Sequence, residues 1–167
     1  MLKSDKSIHY ISIASIKRST MKPYDFKWTK FYESNSDFSY QGLPIDLTED
    51  ELIICSTIID GNNYSILTTQ KLITVDEGKA QAESLLGATE QGYGDFKGYK
   101  NDQVTFGLVE LENGGDFKYF IETGKASMIM IHGIRTLIRT QEMTDKNIDN
   151  VTRVWDRQNE KNKDERT

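Results

Sequence analysis

The sequence predicts an α+β protein that is mainly β: an antiparallel bent barrel or sheet of about six to seven strands, capped by one amphipathic C-terminal helix. Three observations carry that expectation. Short runs rich in β-branched residues follow one another from residue 52, turn-forming clusters separate them, and one long stretch after Lys125 repeats apolar residues at helical spacing.

The elements are taken in chain order. Ile8, Tyr10, Ile11, Ile13 and Ile16 fit either an alternating strand or the buried side of a short helix. The segment MKPYDFKWTKFYESNSDFSYQG is dense in aromatic residues without clean periodicity, and Lys22-Pro23 and Leu43-Pro44 break it. Residues 1–44 are therefore expected to form an N-terminal extension packed on the main body. ELIICSTIID then reads as a strand and ends in Asp60-Gly61-Asn62-Asn63, whose residues tolerate positive φ in a tight turn. YSILTTQ returns as its partner, and KLITVD follows after almost no gap, ending at Glu77-Gly78.

KAQAESLLGATEQG, residues 79–92, favours a short helix or an ordered loop, because Ala, Gln, Glu and Leu are good helix formers and Gly87 and Gly92 interrupt. YGDFKGY, QVTFGLVELE and DFKYFIET read as further strands, with Asn113-Gly114-Gly115-Asp116 as a second hairpin turn. After Lys125, Met128, Ile131, Ile134 or Arg135, and Ile138 recur at helical spacing, with Met130 and Leu137 widening the stripe. Gly133 inside this helix costs up to about 1 kcal/mol relative to alanine, so a close approach to the sheet is expected there. Residues 45–141 make up the β domain with its capping helix. Residues 142–167 are expected to be a short helix, from Ile148, Val151, Val154 and Trp155, and a charged tail.

The chain has 167 residues, enough for one core and short for two. With 26 acidic against 21 basic residues its net charge of −5 offers no general attraction to nucleic acid or anionic lipid. Lys17, Arg18 and Lys22, and Arg135 and Arg139, are the local basic groupings. The single cysteine, Cys55, excludes an intramolecular disulfide, and lying within LIICSTII it reads as a core residue. Two histidines, His9 and His132, are too few for a zinc cluster; His132, in the middle of the amphipathic helix, reads as a flank or core histidine and not as a base, and His9 lies near the N-terminus in an element of open type. The N-terminus lacks the apolar stretch of a secretory signal, and no segment reaches the ~20 apolar residues of a membrane span, so a cytoplasmic protein is expected.

Asp46, Glu49, Asp50 and Glu51 cluster before a strand without the alternating ligands of a calcium loop, and are expected to be a solvated turn. GYGDFKG lacks the ending that holds a nucleotide phosphate. No cofactor or metal is expected. The candidate binding residues are Tyr93, Phe96, Lys97 and Tyr99, aromatic and basic side chains interleaved in a glycine-rich stretch, as at an exposed binding edge.

YSILTTQKLITVDEG, residues 64–78, resembles a step in bacterial pleckstrin-homology-like domains, in which a strand ending in leucine-threonine passes through a basic residue into leucine-isoleucine. The later strands followed by one amphipathic helix are similar to the same fold, a bent β-barrel with a helix plugging one end; the similarity covers about residues 45–141. The resemblance implies a binding or scaffolding module, with ligands from lipid headgroups to peptides. The chain departs from it in residues 1–40 and 79–92, which are extra, and in lacking the basic cluster of a phosphoinositide binder between its early strands. That departure favours a protein or peptide partner over lipid.

The functional expectation is a non-enzymatic cytoplasmic module that recognises a protein or peptide through an exposed sheet edge or the groove beside the C-terminal helix. An immunity-type inhibitor that neutralises a basic toxin is one concrete form, since acidic stand-alone domains suit it. The alternative is a small-molecule or lipid carrier, whose interior would have to be left unfilled by Ile53, Ile58, Leu67, Phe106 and Phe120. An enzyme is the least supported reading, because no recognised catalytic set is present.

Overall fold

The computed structural model describes residues 4–38, 43 and 45–142. Apart from Glu142, the expected C-terminal helix and tail lie outside the described residues. Among the described residues the protein is α+β and mainly β: helix α1 (Asp5–Ser19), strands β1 (Thr29–Phe31), β2 (Ile53–Asp60), β3 (Asn63–Thr68), β4 (Leu72–Asp76), β5 (Lys79–Glu83), β6 (Thr89–Gly92), β7 (Val104–Glu110) and β8 (Asp116–Glu122), and helix α2 (Ser127–Glu142). The strands form two antiparallel sheets, β1-β2-β3-β4-β5 and β6-β7-β8. Among the described residues there are eight strands rather than six or seven, and no ladder joins the two sheets, so they do not close into a barrel.

The N-terminal isoleucines resolve as a helix: its buried positions are Ile8, Ile11, Ser12, Ile13 and Ile16, of which Ile8, Ile11, Ser12 and Ile16 recur at helical spacing and meet a partner. α1 packs on α2, and this contact outweighs the modest helix propensity of a β-branched sequence. α2 is nearly enclosed: Ile129, Met130, Ile134 and Leu137 are fully buried, while Met128, placed in the expected stripe, is only half-buried. Gly133 does sit against the sheet, since a Cβ there would lie 2.9 Å from Cys55 Sγ and 3.1 Å from Leu67 Cδ2. Cys55 is a core residue whose thiol burial pushes far above its ordinary value.

Three expectations are corrected. KAQAESLLGATEQG is not a helix but strand β5, a link and strand β6. Glu77 and Gly78, at φ 50° and 80°, form a two-residue turn with both residues at positive φ, and this turn folds Lys79–Glu83 back along β4 in spite of its helix formers. YGDFKGY is not a strand but the start of the loop between β6 and β7. The turn after β2 is present, but Gly61 and Asn62 do not use positive φ; Asp60 Oδ1 accepts from Asn62 N at 2.8 Å, and a register shift between Ile58 and Asp60 adjusts the strands.

The five-stranded sheet has a core on each face. On one, Ile54, Cys55, Leu67 and Leu72 join α1, α2 and the inner side of the small sheet, Val109, Phe117, Tyr119 and Ile121. On the other, Tyr32, Ile53, Ile58, Tyr64, Ile66 and Val75 are covered by Phe38, Leu43, Ile45 and Leu47. Polar groups join strands within the large sheet and tie the small sheet to it. Thr29 with Thr57, and Ser65 with Thr74, pair their hydroxyls at 2.9 and 2.8 Å; Phe120 N of β8 donates to Ser65 Oγ at 2.9 Å; and Glu122 accepts from Trp28 N and Thr29 Oγ1 at 2.8 and 3.0 Å.

The acidic cluster before β2 also departs from expectation. Asp46, Glu49 and Asp50 are exposed, but Glu51 is buried. Its carboxylate accepts from Thr68 Oγ1, from Lys71 Nζ at 3.1 Å and from Thr48 N at 3.1 Å. Thr69 Oγ1 in turn donates to Asp5 Oδ1 at 2.5 Å, tying the start of α1 to the β3–β4 turn. The Leu-Thr-Thr-Gln-Lys step therefore has a structural job: the Thr68 hydroxyl and the Lys71 ammonium satisfy the Glu51 carboxylate, which burial would otherwise make costly, while the Thr69 hydroxyl holds Asp5.

Candidate functional site

The four candidate residues lie in or beside the loop from Tyr93 to Gln103, and the structure divides them into two pairs. Tyr93 and Phe96 turn inward, partly buried against the core, with their rings edge-to-face at 5.9 Å. Lys97 and Tyr99 point out; Tyr99 is 80% exposed, and Lys97 Nζ stands 6.0 Å from its ring and 5.9 Å from that of Phe96.

The inward pair is pinned to α2. Tyr93 Oη donates to Glu90 Oε1 at 2.5 Å and accepts from an Arg135 terminal nitrogen at 2.8 Å, while Arg135 Nε reaches both Glu90 oxygens at 3.2 Å. Burial and the bond to Glu90 raise the Tyr93 phenol above its ordinary value; the bond that Arg135 donates to Tyr93, then the Glu90 charge, raise Arg135 against the effect of burial. Each charge thus has a partner in a half-buried setting. Neither Glu90 nor Arg135 in this role was found from the sequence. The available signal was Arg135 itself, a charge interrupting the apolar stripe of α2.

The outward pair is held by backbone. Asp95 accepts from Tyr99 N and Lys100 N at 3.2 and 2.8 Å, and Phe96 O accepts from Gly124 N at 2.8 Å, joining the loop to the start of α2. Gly94 is required here: at φ 56°, a Cβ would lie 2.3 Å from Thr105 Oγ1. The loop is a fixed pedestal for one exposed tyrosine and two lysines, Lys97 and Lys100.

The remaining polar candidates have local partners. His9 Nε2 is 2.8 Å from Tyr32 O. His132 is half-buried, and burial, then Arg135, lowers its pKa from 6.5; no described carboxylate hydrogen-bonds its ring. Of the basic groupings, Arg135 is committed to Glu90 and Lys17 to Glu33. Among the described residues no group of three or more histidine, cysteine or acidic side chains is placed to hold a metal, and no helix is long and apolar enough to cross a membrane. Comparison with known proteins gave no match: no family model, curated protein or solved structure is similar to this chain.

Proposed function

We propose that the protein is a non-enzymatic binding module of pleckstrin-homology-like type that grips a protein or peptide through the 93–100 loop and the adjoining flank of α2. The observation that carries this reading is Tyr99, a large aromatic side chain left 80% exposed on a loop whose backbone is tied down at Asp95 and at Gly124. Tyrosines beside basic residues are the side chains that dominate interface energetics, and a loop fixed before binding loses little entropy on binding. The fold assignment is supported by the order of elements, strands in two facing antiparallel sheets followed by one amphipathic helix. The net charge of −5 supports the narrower reading, an inhibitor of a basic toxin. The carrier alternative draws no such support, because Ile53, Ile58, Leu67 and Phe120 are buried in packed clusters or ring contacts and Phe106 lies at the surface over Phe120.

The test is affinity capture with the full chain and its Tyr99→Ala variant from a lysate of the source cells, with mass spectrometry of proteins and of extracted small molecules. The expected result is a stoichiometric protein on the wild type, held at least about tenfold more weakly by Tyr99→Ala at unchanged melting temperature. A bound lipid or metabolite without protein, or a protein held equally by both, overturns the proposal.

A further inference from the structure

The edge of the large sheet leads to a second interaction surface, independent of the 93–100 loop. β5 is the last strand of its sheet, and Lys79, Ala80, Gln81 and Ala82 are all exposed. Its pairing with β4 is continuous from Asp76↔Lys79 to Leu72↔Glu83, with no bulge, and the strand holds no proline. Among the described residues none of the devices that normally blunt an edge is present except two charges, Lys79 and Glu83, one at each end. Neither they nor Gln81 has a side-chain hydrogen bond or ion pair among the described residues.

We infer that β5 pairs antiparallel with β5 of a second copy of this chain, centred on Gln81, joining the two five-stranded sheets into one. Backbone direction limits the registers, and charge selects one of them. In a two-residue hairpin the closing pair, here Asp76 and Lys79, exchanges its hydrogen bonds inward, and direction then alternates along the strand. Ala80 and Ala82 therefore present their N–H and C=O groups at the open edge. Antiparallel partners must both face outward to bond, so Ala80 opposite the partner's Ala82 is an allowed pairing.

About Gln81, the sequence Lys79-Ala80-Gln81-Ala82-Glu83 is self-complementary, with each lysine opposite the partner's Glu83 and each alanine opposite an alanine. Centring on Ala80 would instead set Glu83 against the partner's Glu77, and centring on Ala82 would leave Lys79 opposite the partner's Leu85. The end of β5 also opens onto a surface hollow of about 490 Å³ lined by Glu83, Ser84, Leu86, Leu111, Glu112 and Asn113. In this register the partner's Lys79 arrives at its rim, where Glu83 and Glu112 supply carboxylates and Leu86, 57% exposed, supplies apolar cover. The pairing is isologous and closes at two copies.

The test is sedimentation velocity of the full chain over a concentration series. The wild type should pass from a 19.2 kDa monomer to a dimer of twice that mass. Lys79→Glu and Glu83→Lys should each weaken association by about tenfold, since each sets like charges opposite at both symmetric ends. The double variant Lys79→Glu, Glu83→Lys should restore it. Ala82→Pro, which removes an outward N–H that β4 does not use, should abolish it, with melting temperatures confirming that every variant is folded. A wild type that stays monomeric, species growing beyond a dimer, single reversals that dimerise as well as the wild type, or a double reversal without rescue overturns the inference.

Discussion

Two glycines show how tightly single positions are specified. Gly107 faces Tyr119 across the β7–β8 ladder, and a Cβ there would lie 2.1 Å from the tyrosine Cζ; the ring lies over the bare backbone and is itself buried. Gly107→Ala must expel that ring, an overpacking cost of about 2–3 kcal/mol or more. Gly133→Ala meets Cys55 Sγ at a milder 2.9 Å, and up to about 1 kcal/mol of gained helix propensity offsets it. Chemical denaturation should therefore rank Gly107→Ala well below Gly133→Ala in stability, and the opposite ranking would mean that Tyr119 moves aside at little cost. His132 sets a pH dependence. Burial and the Arg135 and Arg139 charges, opposed by Glu90, lower its pKa in the folded state, so the unfolded chain takes up the proton first. Its contribution is fully present above pH 6.5 and is lost as pH falls through the lowered folded value. His132→Gln should flatten the fall in melting temperature below about pH 6.5 relative to the wild type; parallel pH profiles would show that the ring is as well solvated folded as unfolded.

At the scale of elements, α2 is the piece on which the core depends. Ile134 is fully buried and Ile138 nearly so, with α1 on one side and β2 on the other. An aspartate at either position places an unpaired charge among apolar side chains at a cost of several kcal/mol, comparable to the whole stability of such a domain. Ile134→Asp and Ile138→Asp should abolish the cooperative thermal melt followed by circular dichroism; a wild-type melt would remove α2 from the core. This helix was legible in the sequence because its apolar period is long and its glycine had a physical reason, and β2, β3, β4, β7 and β8 were legible because β-branched runs and turn clusters agreed. β5 and β6 were not. Lys79–Glu83 has the composition of a helix and is held as a strand by the Glu77-Gly78 turn and by a neighbour, which no local propensity encodes. Glu51 was misplaced for a similar reason: its partners Thr68 and Lys71 lie 17 and 20 residues away. In the candidate site, the aromatic and basic residues were visible as a composition, but which of them point outward depends on Glu90, Arg135 and Gly124, brought together only by the fold.

The molecule as a whole carries one consequence of how its layers join. Residues of α1, β2, β3, β4, β7, β8 and α2 share one apolar cluster, and the polar stitching at Ser65, Thr29 and Glu122 binds the small sheet to the large one where no strand ladder does. Neither sheet can bury its inner face without the other, so the two should melt as one unit although no ladder joins them. Trp28 reports on the seam, because Glu122 of β8 accepts its backbone N–H next to β1. With Trp155→Phe leaving Trp28 as the single tryptophan, the urea transition seen by fluorescence should superimpose on that seen by far-UV circular dichroism. Ser65→Ala should move both midpoints down together, by about 1–2 kcal/mol, since Phe120 N loses its buried acceptor. A fluorescence transition that precedes the loss of secondary structure, or one shifted alone by Ser65→Ala, would show that the small sheet detaches first and that the shared cluster does not couple the layers.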